Sequence, residues 1–287
     1  MPSRNPPTAS VCSPGARRWP RCLSPQNARL IRSFHEDNEA ALDAWCHPDD
    51  AECVSAHVKN VPPHIGSRIW KPIAPDRWDR EPRAWMTNHQ INAVMIQYDQ
   101  APEYRFAYLG AVCVNFVEQI PRFRSYDVSR DLSRGKTRLG MIVNLDVCGG
   151  TGTHWVALFC QLDPRDRANF GATFFDSAGN DPPDQVQRFV ASLKGQIEQR
   201  FPGTTFRLSW DGRRRQFGDS ECGMFCINFL VDCIHTCVTG RRVEDVDVGD
   251  DDRSFRSRSV HFRASPAKKL GSKSARATRV KTDRETR

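Results

Sequence analysis

The sequence predicts an α+β domain in which a mixed sheet packs against one buried helix. Short apolar runs bounded by turn-forming residues, typical of buried strands, alternate with helical patterns along the middle of the chain. From about Ser220 to Thr236 the chain is apolar on nearly every side, as expected of a helix at the centre of a core. The order helix, strands, helix, strand, helix is typical of the α+β class.

The elements follow from local signals. Thr87 can cap a helix that continues through Tyr98 with apolar residues on one face. Pro182 and Pro183 begin a second helix, whose apolar residues keep a spacing close to 3.6, and Gly240 can end the apolar helix. Strand-like apolar stretches, alternating in the first, are found at 106–117, 139–145, 155–159, 172–176 and 204–210.

Composition divides the 287 residues into four segments. Residues 1–28 are rich in Pro, Ser and Arg and are expected to be disordered. Residues 29–84 form an N-terminal extension with a short amphipathic pattern. Residues 85–240 form the folded domain. Residues 241–287 have an acidic and then a basic block and are expected to be a disordered tail.

Charge and cysteine content restrict the class of protein. The net charge is +8, but residues 253–287 alone carry 12 Lys and Arg against 2 acidic residues. Such a tail can bind nucleic acid nonspecifically, or serve only solubility or targeting. An odd count of 11 cysteines in a chain of this length indicates free thiols and an intracellular, reducing compartment. No apolar run is long enough for a membrane span, and the N-terminus has no secretory signal pattern.

Four residues in strong local contexts suggest a thiol nucleophile site. Cys222 stands where the apolar helix begins, and a helix N-terminus and a nearby imidazolium both stabilise a thiolate. Asp219 and Ser220, just before it, are expected to cap that helix. His154 and Asp176 could supply the base and its orienting acid, and Gln216 could supply an amide donor for an oxyanion.

These motifs resemble the SUMO-protease superfamily of cysteine peptidases, which includes the adenovirus endopeptidase and the polyprotein-processing proteases of large DNA viruses. The resemblance covers roughly residues 85–240. The motifs that carry it are the opening helix at 85–92, Met141-Ile142-Val143-Asn144-Leu145-Asp146, His154-Trp155, Phe175-Asp176-Ser177, Gln216 and Asp219-Ser220-Glu221-Cys222-Gly223. It implies a variant of the papain-like fold, with the nucleophile on the central helix.

The resemblance implies a role for each site residue. Cys222 would be the nucleophile, His154 the general base and then acid, and Asp176 the acceptor that fixes the His154 tautomer. Gln216 would form the oxyanion hole with the Cys222 N–H. Trp155 would cover small substrate residues in a narrow tunnel, although a core tryptophan explains it equally well. Simpler interpretations of the others are a buried cysteine, a loop histidine, a turn-capping aspartate and a solvated glutamine.

The sequence therefore predicts a cysteine endopeptidase that cleaves after Gly-rich motifs through a thioester, without metal or organic cofactor. Its substrate would be a viral polyprotein, in a virion or the host cytoplasm. Alternatives are removal of a ubiquitin-like modifier, or an inactive module that binds a modifier or nucleic acid. The complete set of candidate residues argues against inactivity. A loose cluster of Cys46, Cys53 and His57 leaves a structural zinc open, although its spacing differs from common zinc modules.

Overall fold

A computed structural model describes residue 72 and residues 74–262. Within this part, five strands form one sheet: β1 (Phe106–Cys113), β2 (Arg138–Asn144), β3 (Trp155–Gln161), β4 (Gly171–Phe175) and β5 (Leu208–Trp210). The strands lie in chain order; the outer pairs are parallel and the inner pairs antiparallel. The predicted mixed sheet and α+β class are confirmed. The predicted strand at 204–210 is shorter than expected and begins at Leu208.

Seven α-helices occur in the described part: α1 (Asn88–Gln100), α2 (Phe116–Gln119), α3 (Pro121–Arg124), α4 (Val128–Ser133), α5 (Asp184–Arg200), α6 (Cys222–Val238) and α7 (Asp251–His261). Helix α1 begins with a capping box, in which Thr87 accepts from the Gln90 N–H and Gln90 accepts from the Thr87 N–H. The predictions for α1, α5 and α6 are confirmed to within two residues. Short 3₁₀ turns lie at Asp76–Asp79, Pro102–Tyr104 and Val243–Asp245.

Strand β3 is buried along its whole length because helices cover both faces of the sheet. Its odd-numbered residues from Trp155 to Phe159 pack in the core that contains α6, and its even-numbered residues from Val156 to Cys160 pack in the core that contains α5. Phe175 of β4 stacks on Phe229 of α6, with ring centroids 4.8 Å apart. This sandwich explains why β3 is a continuous apolar run instead of an alternating pattern.

Helix α6 lies at the centre of one core, as its sequence predicts. Cys226 and Cys233 are fully buried among apolar side chains, which confirms that they are packing residues. Burial raises the pKa of both thiols well above the usual range, so neither is a reactive thiolate at neutral pH. Gly240 adopts a left-handed conformation (φ +71°) just after the helix, consistent with the predicted end.

The predicted disordered tail is wrong for residues 241–262. Val243, Val248 and Phe262 are buried there, and α7 begins with Asp250, whose side chain accepts from the Arg253 N–H. Within the acidic block that suggested disorder, Asp250 caps this helix, and Asp251 and Asp252 supply favourable negative charge in its first turn. The folded unit also includes residues before 85, since Trp78 is buried. Residues 85–240 are therefore too narrow a boundary.

A buried ion pair joins α7 to the start of α6. Both nitrogens on one edge of the Arg258 guanidinium donate to the Glu221 carboxylate, at 3.0 Å each, and both side chains are almost fully buried. Arg258 also donates to the carbonyl oxygens of Pro82 and Ala84, and its guanidinium lies 4.2 Å from the Trp78 ring centroid. One side chain thus holds three segments that are distant in sequence.

Breaking this pair should be costly. We expect Arg258→Met to lower the free energy of unfolding by about 3–5 kcal/mol, because the Glu221 carboxylate would stay buried without its cation. Glu221→Met combined with Arg258→Met should recover part of that loss, since no unpaired charge remains. Arg256→Met, on the exposed side of the same helix, is the matched control. Urea unfolding of the wild type and of these three variants measures the differences; equal losses for Arg258→Met and Arg256→Met would contradict the prediction.

Candidate active site

Antiparallel pairing brings His154 and Asp176 together. Ala157 of β3 pairs with Phe175 of β4. The start of β3 therefore lies beside the end of β4, and the residue before β3 comes close to the residue after β4. The His154 Nε2 lies 2.6 Å from the Asp176 Oδ1. A carboxylate only accepts, so we assign the Nε2 proton to this hydrogen bond, which leaves Nδ1 as the nitrogen for a second partner.

The second partner of His154 is Cys222, the first residue of α6. The thiol of Cys222 acts on the imidazole strongly enough to help raise the His154 pKa, and the Cys222 side chain is buried. The three residues predicted as a catalytic set are therefore neighbours, in the order Cys222, His154, Asp176. Burial alone would lower the pKa of His154, but its interactions with Asp176 and Cys222 outweigh burial and raise the pKa to about 9.

Asp176 makes both of the contacts that its sequence context suggests, to His154 and to the turn that follows it. Besides His154, its carboxylate accepts from the N–H of Ala178 at 2.8 Å and from the side-chain amide of Asn180 at 2.8 Å. It therefore caps the turn and orients the imidazole at the same time. Burial would raise the pKa of this carboxyl, but the hydrogen bonds from His154 and the turn lower it overall, so Asp176 stays ionised at neutral pH.

Helix α6 begins without the expected cap. Glu221, not Asp219 or Ser220, occupies the N-cap position, and its side chain makes no capping hydrogen bond to the first-turn N–H groups. The Glu221 carboxylate is directed to Arg258 instead. The first-turn donors, including the Cys222 N–H, have no acceptor within a helix. A donor suited to an oxyanion thus lies on the same residue as the candidate nucleophile.

Gln216 is buried and fixed at both ends of its amide. Its Oε1 accepts from the Ser177 hydroxyl at 2.6 Å, and its Nε2 donates to the Gly218 carbonyl at 2.9 Å. Its backbone N–H also donates to the Ser177 carbonyl. The solvated-glutamine interpretation is therefore wrong. Because Ser177 follows Asp176, Gln216 lies close to the predicted set of three residues, and its Nε2 carries a second hydrogen for a further acceptor.

Comparison with known proteins shows which family the chain belongs to. No family model matches the chain. A SUMO-1 cysteine protease of African swine fever virus, from a warthog isolate, is 30% identical over 238 residues, which make up 77% of this chain and 84% of that protein. The chain belongs to this family of viral cysteine proteases. The recognition of a SUMO-protease-like viral enzyme from sequence is confirmed.

Other relatives agree. A cysteine protease from the Badajoz strain of the same virus is 26% identical over the same share of both chains. A protein of Acanthamoeba polyphaga mimivirus named as a thiol protease is 26% identical over 192 residues, and the chain spans 58% of its length. A crystal structure of an African swine fever virus protease has a TM-score of 0.59 at 20% identity and covers 87% of this chain and 94% of that one. At this identity the structural likeness shows the shared fold.

Trp155 is a core residue of this viral protease. Its indole N–H donates to the Met86 carbonyl at 3.1 Å, and little of its surface is exposed. A Cβ atom added to Gly223 would lie 3.2 Å from the Met86 Cβ and 3.5 Å from the Trp155 ring, so the glycine after Cys222 permits close packing here. Substrate contact by Trp155 stays a prediction. Trp85, beside Met86, is instead half exposed.

The loop before His154 is held in place by hydrogen bonds from its own backbone to two side chains. The Asn144 side chain accepts from the N–H groups of Asp146 and Thr153, and Asp146 accepts from the Gly152 N–H. The Asn144-Leu145-Asp146 motif noted in the sequence therefore folds this loop back on itself. The loop consequently presents His154 in a fixed position.

The expectation of free thiols is wrong for one pair. Cys113 at the end of β1 and Cys148 in the loop before His154 form a disulfide, with Cα atoms 5.0 Å apart. Parallel pairing of β1 with β2 places Cys113 beside Asn144, so the loop after β2 passes directly over it. Five described cysteines are free: Cys160, Cys222, Cys226, Cys233 and Cys237.

The structure describes only part of the chain that the predictions on zinc, on disorder and on the basic tail concern. The Cys46, Cys53 and His57 cluster and residues 1–28 lie outside it; within it, no group of three or more His, Cys, Asp or Glu residues could hold a metal. No described helix is long and apolar enough to cross a membrane. Three basic residues of the supposed tail belong to α7, and Arg258 is buried in its ion pair. Nucleic-acid binding by the remaining tail stays a prediction.

The His154 pKa gives a test of the arrangement. Its folded value, about 9, exceeds the usual 6.5, so the pairing stabilises the fold fully below pH 6.5 and this contribution is lost as pH rises through about 9. We expect Asp176→Asn to lower the His154 pKa, measured by NMR titration of the imidazole. Asp181→Asn, five residues further on, should leave it unchanged. A wild-type midpoint near 6.5 would contradict the arrangement.

Proposed function

We propose that this viral cysteine protease hydrolyses peptide bonds with Cys222 as nucleophile, His154 as base and acid, and Asp176 as the orienting carboxylate. The observation that carries the proposal is His154 placed between two partners: its Nε2 is hydrogen-bonded to the ionised, buried Asp176, and the Cys222 thiol at the start of α6 acts on the same imidazole. A raised His154 pKa favours transfer of the thiol proton to the ring, which produces the attacking thiolate.

In the proposed reaction, the Cys222 sulfur attacks the carbonyl carbon of the scissile bond. The carbonyl oxygen becomes an oxyanion, stabilised by the second Gln216 Nε2 hydrogen and by the Cys222 N–H, each worth about 3 kcal/mol. His154 then gives its proton to the leaving amine, and a thioester remains on Cys222. Water, deprotonated by His154, hydrolyses the thioester and restores the thiol. No step needs a metal or an organic cofactor.

We further propose that the residues before the scissile bond are small, as in Gly-Gly or Gly-x-Gly. Cys222 is only 5% exposed, and Met86 and Trp155 pack against the neighbouring Gly223. A peptide chain must therefore approach the sulfur closely enough to leave little space for side chains next to the bond. Glycine also allows the extended or twisted backbone that such a narrow approach requires.

For the protein substrate, we propose a viral polyprotein, because the relatives are proteases of large DNA viruses. Removal of a ubiquitin-like modifier is the second candidate, favoured by the naming of one relative as a SUMO-1 cysteine protease. Short Gly-x-Gly fluorogenic peptides and modifier-fused substrates, assayed side by side, distinguish the two. A polyprotein protease cleaves the peptides efficiently, whereas a modifier protease gains greatly from the folded modifier.

Replacement of Cys222 tests the chemistry. We expect Cys222→Ser to abolish peptide hydrolysis while the protein stays folded, and Cys226→Ser, one helical turn on, to retain it as the matched control. Brief iodoacetamide labelling followed by peptide mapping should modify Cys222 faster than any other cysteine, and His154→Ala should remove that selectivity. A hydrolytically active Cys222→Ser variant, or a wild type without hydrolysis, would overturn the proposed function.

A further inference from the structure

The first residue of α7 contacts the loop between Gln216 and Cys222. The Asp251 Oδ2 accepts from the N–H of Phe217 at 2.8 Å and from the N–H of Gly218 at 3.1 Å. Hydrogen bonds from backbone N–H groups to a carboxylate are charge-assisted and stronger than neutral ones. A residue 33 positions beyond Gly218 thus fixes the backbone of the loop that leads into the nucleophile.

Gly218 links this carboxylate to Gln216. The Asp251 carboxylate binds the Gly218 N–H, and the Gln216 Nε2 donates to the Gly218 carbonyl. Because the Gln216 amide is planar, the direction of one Nε2–H bond sets the direction of the other. Any shift of Gly218 would therefore turn the hydrogen that is proposed to face the oxyanion. Ser177 holds the opposite end of the same amide.

The loop has little else to hold it at this point. The Phe217 side chain is 73% exposed, so burial does not anchor the loop tip. The Arg214 guanidinium lies over the Phe217 ring at 5.3 Å and donates to the Gln216 carbonyl, but Arg214 is itself exposed. In contrast, α7 is anchored through Arg258 to Glu221 and to residues 82–84. Asp251 therefore transmits the rigidity of a packed helix to an exposed loop.

A second observation supports a role beyond stability. The other oxygen of Asp251, Oδ1, is buried and makes no hydrogen bond with any described residue. A buried carboxylate oxygen without a partner opposes folding. Helix capping does not require Asp251, because Asp250 already caps α7. The unfavourable placement is explained if the carboxylate is needed at this position for Gly218 and Phe217.

We propose that Asp251 is a positioning residue for the oxyanion hole. It fixes Gly218 so that the Gln216 amide presents its second hydrogen to the developing oxyanion. The assignment rests on the proposed function, in which Gln216 stabilises that oxyanion and Cys222 is the nucleophile. With this assignment, a residue needed for catalysis lies in the segment after Gly240.

Two reactions of Cys222 separate this role from a general loss of structure. Peptide hydrolysis passes through an oxyanion, whereas alkylation by iodoacetamide replaces iodide at a saturated carbon and forms none. We expect Asp251→Ala to lower kcat at least ~10-fold and toward the ~10²–10³-fold loss typical of a removed oxyanion donor, with KM little changed. The alkylation rate of Cys222 should stay within about twofold of wild type. Asp251→Asn, which keeps the shape and one acceptor oxygen, should fall in between.

A matched acid on the same turn provides the control. Among the described residues, Asp252 pairs only with Arg83, at 3.6 Å and in an exposed position, and it has the same favourable place at the helix N-terminus. Asp252→Ala should therefore retain wild-type kcat. The decisive comparison is with Gln216→Ala: if Asp251 acts through Gln216, then Gln216→Ala/Asp251→Ala should be no slower than Gln216→Ala alone.

Each remaining outcome decides the question. Unchanged kcat in Asp251→Ala, multiplicative losses in the double variant, or a parallel fall in the alkylation rate would each overturn the assignment. If Asp251→Ala unfolds at the assay temperature, Asp251→Asn carries the same comparisons. A wild type that is alkylated at Cys222 but hydrolyses no peptide overturns the proposed function itself, and the assignment with it.

Discussion

The buried pair between Glu221 and Arg258 is the interaction on which the rest of this site depends. Glu221 directly precedes Cys222, so the pair sets where α6 begins and where the thiol lies. The same guanidinium donates to the carbonyl oxygens of Pro82 and Ala84, in the segment that leads to Met86 and its contact with Trp155. A charge pair removed from water is weak evidence for net stability, but it is selective for one arrangement, because either charge left alone would be costly.

The sheet supplies the second constraint. Antiparallel pairing of β3 with β4 fixes His154 against Asp176, and both faces of β3 are packed. His154 is therefore held by strands, Cys222 by a helix, and Gln216 by a loop that α7 supports. Two strands, a helix and a loop thus each place one part of the site, and local hydrogen bonds fix the side chains where these elements meet. Rigid elements hold reacting groups more closely than loops do, and here the one loop has an external support.

The elements that could be predicted from the sequence are those whose apolar pattern or capping residue matches the way they pack in the fold. Continuous apolar runs predicted β3 and α6, apolar periodicity predicted α5, and the Thr87 cap predicted α1, because these local signals agree with the core that each element packs against. The family resemblance located Cys222, His154 and Asp176, which lie in short motifs. Helix α7 was missed because its buried side is Ser254, Arg258 and His261. From sequence alone, a row of polar residues on a helix predicts a solvent-exposed face, because the buried partners of these residues are distant in the sequence.

The same reasoning explains the smaller errors. Asp219 and Ser220 have good capping side chains, but the ion pair placed Glu221 at the N-cap, and tertiary contacts override such local preferences. The Cys113–Cys148 disulfide could not be expected from spacing, since it depends on β1 lying parallel to β2. In each case the missing information was which distant segment comes close, which a single sequence does not contain.

The position of α7 late in the chain also affects the order in which the site can form during synthesis. Protein synthesis proceeds from the N-terminus, so the sheet strands, which pair in chain order, can assemble as they emerge. The groups that complete the start of α6 and the loop before it arrive last, with residues 251–258. A chain in which residues 251–258 have not yet emerged therefore lacks the contacts that hold Cys222 and Gln216 in this arrangement, whereas His154 and Asp176 can already pair.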